Sequence, residues 1–164
     1  MAAFGIPAFM FLMAVMVNVI YRIDPKRENI SRSRELKEIT RWFVVLMAVM
    51  VQFVIVLSGI GMDINVGSMV SLPIALMFVA AGNYLPKCRQ NYTMGIKLPW
   101  TLADEDNWNR THRMAGYVWT AGGILMLIMG FFHLASLFFL VLMAMVLIPS
   151  VYSYLIYRKK LKGI

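Results

Sequence analysis

Five segments of this chain, residues 2–21, 42–61, 67–85, 115–132 and 137–157, contain no Asp, Glu, Lys, Arg or His. A hydrocarbon core about 30 Å thick takes about 20 apolar residues of helix to cross, because lipid offers unpaired backbone groups no partner. Each segment is close to that length, and together they fill most of the 164 residues. The composition agrees: 60% of residues are hydrophobic and 15% charged, well below the charged share of about a quarter in soluble domains. The expected fold is an all-α polytopic membrane helix bundle with about five transmembrane helices, a single membrane domain over residues 1–164. Nothing before Arg22 is charged, and the first apolar run is too long for a signal core, so it reads as a span rather than a secretory signal. Pro7, Pro73 and Pro149 fall inside spans and read as kinks.

Orientation follows from the cations. Arg22, Lys26, Arg27, Arg32, Arg34, Lys37 and Arg41 lie between the first two segments. Lys87, Arg89, Lys97, Arg110 and Arg113 lie between the third and fourth, and Arg158, Lys159, Lys160 and Lys162 follow the fifth. These are all 16 in the chain, and the stretches 62–66 and 133–136 carry none. Under the positive-inside rule, loops 22–41 and 86–114 and the tail 158–164 are cytoplasmic, and the N-terminus is outside. The net charge of +8 is then matched to topology and anionic lipid headgroups, and direct nucleic-acid binding is not expected.

The two cytoplasmic connections hold the unusual polar chemistry. Asp24-Pro25 is a helix-start signal, and Glu28 with Arg32 and Arg34 with Glu38 have the spacing of helical ion pairs. The segment through Arg41 reads either as a polar helix feeding the second span or as a solvated linker. In the second connection, mixed charges are interleaved with Trp100, Trp108 and Trp119. Thr101-Leu102-Ala103-Asp104 has capping-box spacing, which predicts a helix from Leu102 onward. On it Trp108, Thr111 and Ala115 share a stripe that could lie on the membrane while Arg110 and Arg113 reach headgroups. Cys88 stands alone and reads as an inert thiol in preference to an acylation site.

Catalytic and transport signals are sparse. His112 has no second histidine at metal-ligand spacing, since His133 falls on the opposite side of the membrane under this topology. No Ser or Cys lies beside a recognisable base. We therefore expect no enzyme, no catalytic residues, no metal and no cofactor. The spans hold no ionisable residue to serve a proton or ion pathway. Asn18 and Gln52, their deepest polar side chains, read as interhelical hydrogen-bonding groups. A small transporter or exporter of a peptide or uncharged substrate is the alternative reading, and oligomerisation remains open.

The residues of the second connection carry a resemblance. Gly82-Asn83-Tyr84, Asn91, Gly95-Ile96-Lys97, Pro99-Trp100-Thr101-Leu102, Asp104-Glu105, Trp108, Thr111-His112-Arg113 and Ala115-Gly116 together resemble the bacterial SdpI family. These are membrane immunity proteins that protect cells from a secreted killing-factor peptide. Asp24-Pro25 followed by Glu28-Asn29-Ile30 is similar to the preceding membrane region of longer members, so the resemblance covers about residues 4–119. Longer members also carry an N-terminal span and an extracellular segment without counterpart here, and Lys97 stands where the family is expected to have Arg. The resemblance implies a location in the bacterial cell membrane and protection from a membrane-active peptide toxin by binding. In the type member it also implies recruitment of a cytoplasmic transcriptional repressor. Asn83, Asn91, Trp100, Thr101, Trp108, His112 and Arg113 are the expected partner-binding or functional residues. Interface anchoring by the two tryptophans and capping by Thr101 are the structural alternative.

Overall fold

The computed structural model describes residues 2–64, 66–132 and 134–163, which form α-helices and no strand. In chain order these are α1 (Ala2–Ile23), α2 (Arg27–Arg32), α3 (Arg34–Gly59), α4 (Val66–Tyr84), α5 (Pro99–Ala103), α6 (Glu105–Phe131) and α7 (Ala135–Leu161), with a 3₁₀ turn, Leu85–Lys87, closing α4. The fold is an all-α bundle. Its five long helices cover the five apolar segments. Among the described residues, three helices are long and apolar enough to cross a membrane, Arg34–Gly59, Met69–Lys87 and Leu137–Leu161, and Ala8–Ile23 is a shorter apolar helix. α6 begins with a polar stretch that holds Glu105, Asp106, Arg110, His112 and Arg113.

The bundle carries its large apolar side chains outward. Phe11, Leu12, Val49, Phe139, Leu140 and Val151 are all more than half exposed on α1, α3 and α7, an arrangement costly in water and favourable in hydrocarbon. Inside, small residues let backbones approach. α4 and α6 form the most extensive helix pair, and a Cβ on Gly82 would lie 2.6 Å from the Thr120 backbone nitrogen, while one on Gly123 would lie 2.8 Å from that of Val79. Close glycine-mediated contact replaces the hydrophobic drive that lipid removes. α7 closes on α6, with Ala75, Met126 and Met145 at the centre and Trp119 Nε1 donating to the Met145 carbonyl at 3.0 Å.

Some local expectations are corrected. Asp24-Pro25 forms a turn, and α2 begins after it at Arg27. The chain breaks once more at Ser33, and α3 then runs unbroken from the charged Arg34 into the apolar segment. Glu38 pairs with Arg41 at 3.3 Å rather than with Arg34. A single helix from Leu102 is replaced by two, because Asp104 adopts an extended conformation and caps α6 through the Asp106 N–H. Asn18 bonds its own helix, donating to the Ala14 carbonyl at 2.8 Å, so it is not an interhelical link. His133 lies outside the described residues.

Candidate functional site

Residues 88–98 have almost no regular structure, and side chains take up many of their backbone polar groups. Asn91 begins this. Fully buried, it accepts from the N–H groups of Thr93 (2.9 Å) and Met94 (2.6 Å) and donates to the Arg89 carbonyl at 2.7 Å, making the turn that reverses the loop. Gly95 follows at φ 94°, a region open to glycine at little cost. A Cβ there would overlap the His112 imidazole.

That imidazole organises the next layer. His112 Nδ1–H donates to the Trp108 carbonyl at 2.8 Å, one helical turn back. Its Nε2 accepts from the Ile96 N–H at 3.0 Å. Both ring nitrogens are thereby used in one neutral tautomer, and burial pushes the pKa down to about 4. The ring stacks on Trp108, centroids 3.9 Å apart, and Trp108 Nε1 donates to the Cys88 carbonyl at 2.8 Å. Thr101 Oγ1 accepts from the Leu98 N–H at 2.9 Å, as the third residue of α5 rather than as the cap of a longer helix.

The first connection seals the loop from the other side. Asp24, buried, accepts from the Lys26 N–H at 2.7 Å, the Tyr92 N–H at 3.0 Å and the Thr93 hydroxyl at 2.5 Å. Asn29 donates to the Gln90 carbonyl at 2.7 Å, and Ser33 Oγ accepts from the Arg89 N–H at 3.1 Å. Gln90 accepts from Lys26 Nζ and donates to the carbonyls of Thr101 and Leu102 at 2.9 and 3.0 Å. A third group joins α7: Asn107 and Ser153 exchange hydrogen bonds at 3.1 and 3.0 Å, Thr111 donates to Asn107 at 2.9 Å, and Trp100 Nε1 donates to Ser153 Oγ at 2.7 Å.

The structure thus unites Asn91, Thr101, Trp108 and His112 in one buried network, with Trp100 half-buried beside it. Asn83 and Arg113 are exposed and lie outside it. The stripe of Trp108, Thr111 and Ala115 is wholly buried, so it faces the protein and not the membrane: the loop and the 3₁₀ turn occupy the side the lipid was expected to take. Cys88 is buried, which pushes its thiol up to about 11 and keeps it unreactive. At the rim, Lys160 lies 2.6 Å from Asp104 and 2.9 Å from Asp106 and holds both carboxyls below their usual range. No group of three His, Cys, Asp or Glu able to hold a metal is present among the described residues.

Sequence reasoning did not select Asp24, Asn29, Gln90, Asn107 or Ser153. Asp24 and Asn29 stood in the segment that resembles the family without being assigned a role, and Ser153 carried a signal of its own. A hydroxyl in an apolar helix needs a partner, and Asn107 with Thr111 at i, i+4 is a matching polar pair.

Residues 87–153 match the SdpI/YfhL protein family, which brackets the loop, α5, α6 and most of α7. Over 122 residues, 73% of this chain, the sequence is 27% identical to "Immunity protein SdpI" of Bacillus subtilis (strain 168). The matched part is 59% of that relative, so the chain corresponds to about three-fifths of its length. No solved structure matches the chain.

Proposed function

We propose that this chain, whose residues 87–153 match the SdpI/YfhL protein family and which is similar to an immunity protein, protects a bacterial cell from a secreted membrane-active peptide by binding, without chemical turnover. The observation that carries this reading is the buried network just described. His112, the one titratable ring in it, spends both nitrogens on backbone groups of its own fold, which favours a positioning role over proton transfer.

Positioned by that network are exposed groups that a partner can reach: Tyr92, Lys97 and Arg113, with Asn83 at the end of α4. In this reading Asn91, Trp100, Thr101, Trp108 and His112 hold the surface and Arg113 meets the partner. In the same reading, with five spans and both long connections inside, that surface faces the cytoplasm, where a transcriptional repressor is the second partner the family suggests. The placement of all 16 cations supports the topology.

The test is survival of a sensitive bacterium expressing the chain and challenged with the killing peptide. Arg113→Ala is expected to lose most protection at parental membrane abundance. Protection accompanied by energy-dependent efflux of the peptide would favour an exporter instead.

A further inference from the structure

The cytoplasmic end of α7 and the polar start of α6 enclose a groove of about 700 Å³, apart from the network above. Its walls differ in chemistry. Tyr152, Leu155 and Ile156 make one part apolar, while Arg110, Arg158, Lys159, Lys160 and Lys162 make the other basic. Along α7 the order is set by helical spacing: Tyr152, Leu155, Lys159 and Lys162 recur at intervals of three and four, so one stripe turns from apolar to cationic.

Two of the cations are committed. Lys160 is held by Asp104 and Asp106, and Arg110 Nε lies 3.0 Å from Asp106. Among the described residues nothing pairs with Arg158, Lys159 or Lys162. The carboxylates therefore fix one rim of the groove and leave three charges open. Tyr152 and Leu155 are 36% and 51% exposed and lie on a helix, Leu137–Leu161, apolar enough to cross a membrane. Cations at headgroup level above an apolar wall match a ligand with a phosphate at one end and hydrocarbon at the other.

We propose that this groove binds one anionic glycerophospholipid, its phosphate between Lys159, Lys162 and Arg158 and an acyl chain along Tyr152 and Leu155. A soluble phosphate would leave the apolar wall unused. Each open cation is worth about fivefold in retention of the anion.

The test is native mass spectrometry of the full chain in neutral detergent with equal phosphatidylglycerol and phosphatidylcholine, read without any toxin and so independent of the immunity assay. The parent is expected to retain phosphatidylglycerol at least tenfold over phosphatidylcholine. Lys159→Gln with Lys162→Gln is expected to lower that preference about tenfold or more. Arg22→Gln with Arg27→Gln, an equal charge loss in the first connection, should change it less than twofold. Leu155→Asn, which leaves the charge unchanged, should also weaken retention. Equal retention of the two lipids, equal loss in both double variants, full retention by Leu155→Asn, or displacement by millimolar inorganic phosphate would each overturn the proposal.

Discussion

At the scale of single residues, His112 is held neutral because the only places for its ring nitrogens are a carbonyl and an N–H. Its folded pKa, about 4, lies below the value of about 6.5 expected in an unfolded chain. The unfolded chain therefore binds the extra proton first as pH falls. Stability from this site is complete above about pH 6.5 and is lost progressively towards pH 4, by roughly 3 kcal/mol over that window. Thermal unfolding in neutral detergent should show this fall, and His112→Ala should flatten it. The same variant leaves the Ile96 N–H without its acceptor and is expected to cost about 1–3 kcal/mol. Gly95→Ala should be at least as damaging, since it adds a strained φ to a clash with the imidazole. His112 and Trp108 were legible in the sequence as unusual residues. Their partners were not, because the Ile96 contact depends on a turn made by Asn91 and Gly95, sixteen residues and more before the histidine.

At the scale of elements, two irregular joints govern how the helices meet. Asp104 starts α6 by capping it, and Asp104→Ala should cost about 0.5–2 kcal/mol in addition to removing one of the two carboxylates that hold Lys160. Asp24 matters more, because its buried carboxylate binds the second connection to the first. Asp24→Ala is expected to destabilise the loop by about 2 kcal/mol or more, seen as amide exchange at Tyr92 and Thr93 faster by about thirtyfold. Exchange unchanged at both amides would show that the loop is held without this carboxylate. The long helices were legible from apolar length alone. The break between α5 and α6 was not: Thr101 and Asp104 are both capping residues three apart, and the spacing does not reveal that each serves a different helix. Nor does periodicity reveal which way a stripe faces. Trp108, Thr111 and Ala115 have the pattern of a membrane face, yet the covering loop turns them into the core.

At the scale of the whole molecule, outward apolar faces and a buried polar end divide the chain into a lipid-facing part and a part that presents a surface. The proposed five-span arrangement predicts that a cysteine at Asp63 reacts with an impermeant reagent in intact cells and that one at Glu105 reacts only after lysis. Both positions are exposed, and native Cys88 is silent because it is buried. Labelling of the Glu105 site in intact cells would reverse the topology. The charge asymmetry behind that prediction was plain in the sequence, whereas the union of the two polar connections through Asp24, Asn29 and Ser33 was not, since those contacts join residues about 60 apart in the chain. The central claim is that this molecule confers immunity through a surface held in place by the buried network. It is tested most directly by counting survivors of a sensitive bacterium under the killing peptide, with the parent and Arg113→Ala at equal membrane abundance. The account predicts high survival for the parent and survival near that of empty cells for the variant; a parent that gives no protection, or a variant that protects fully, would contradict it.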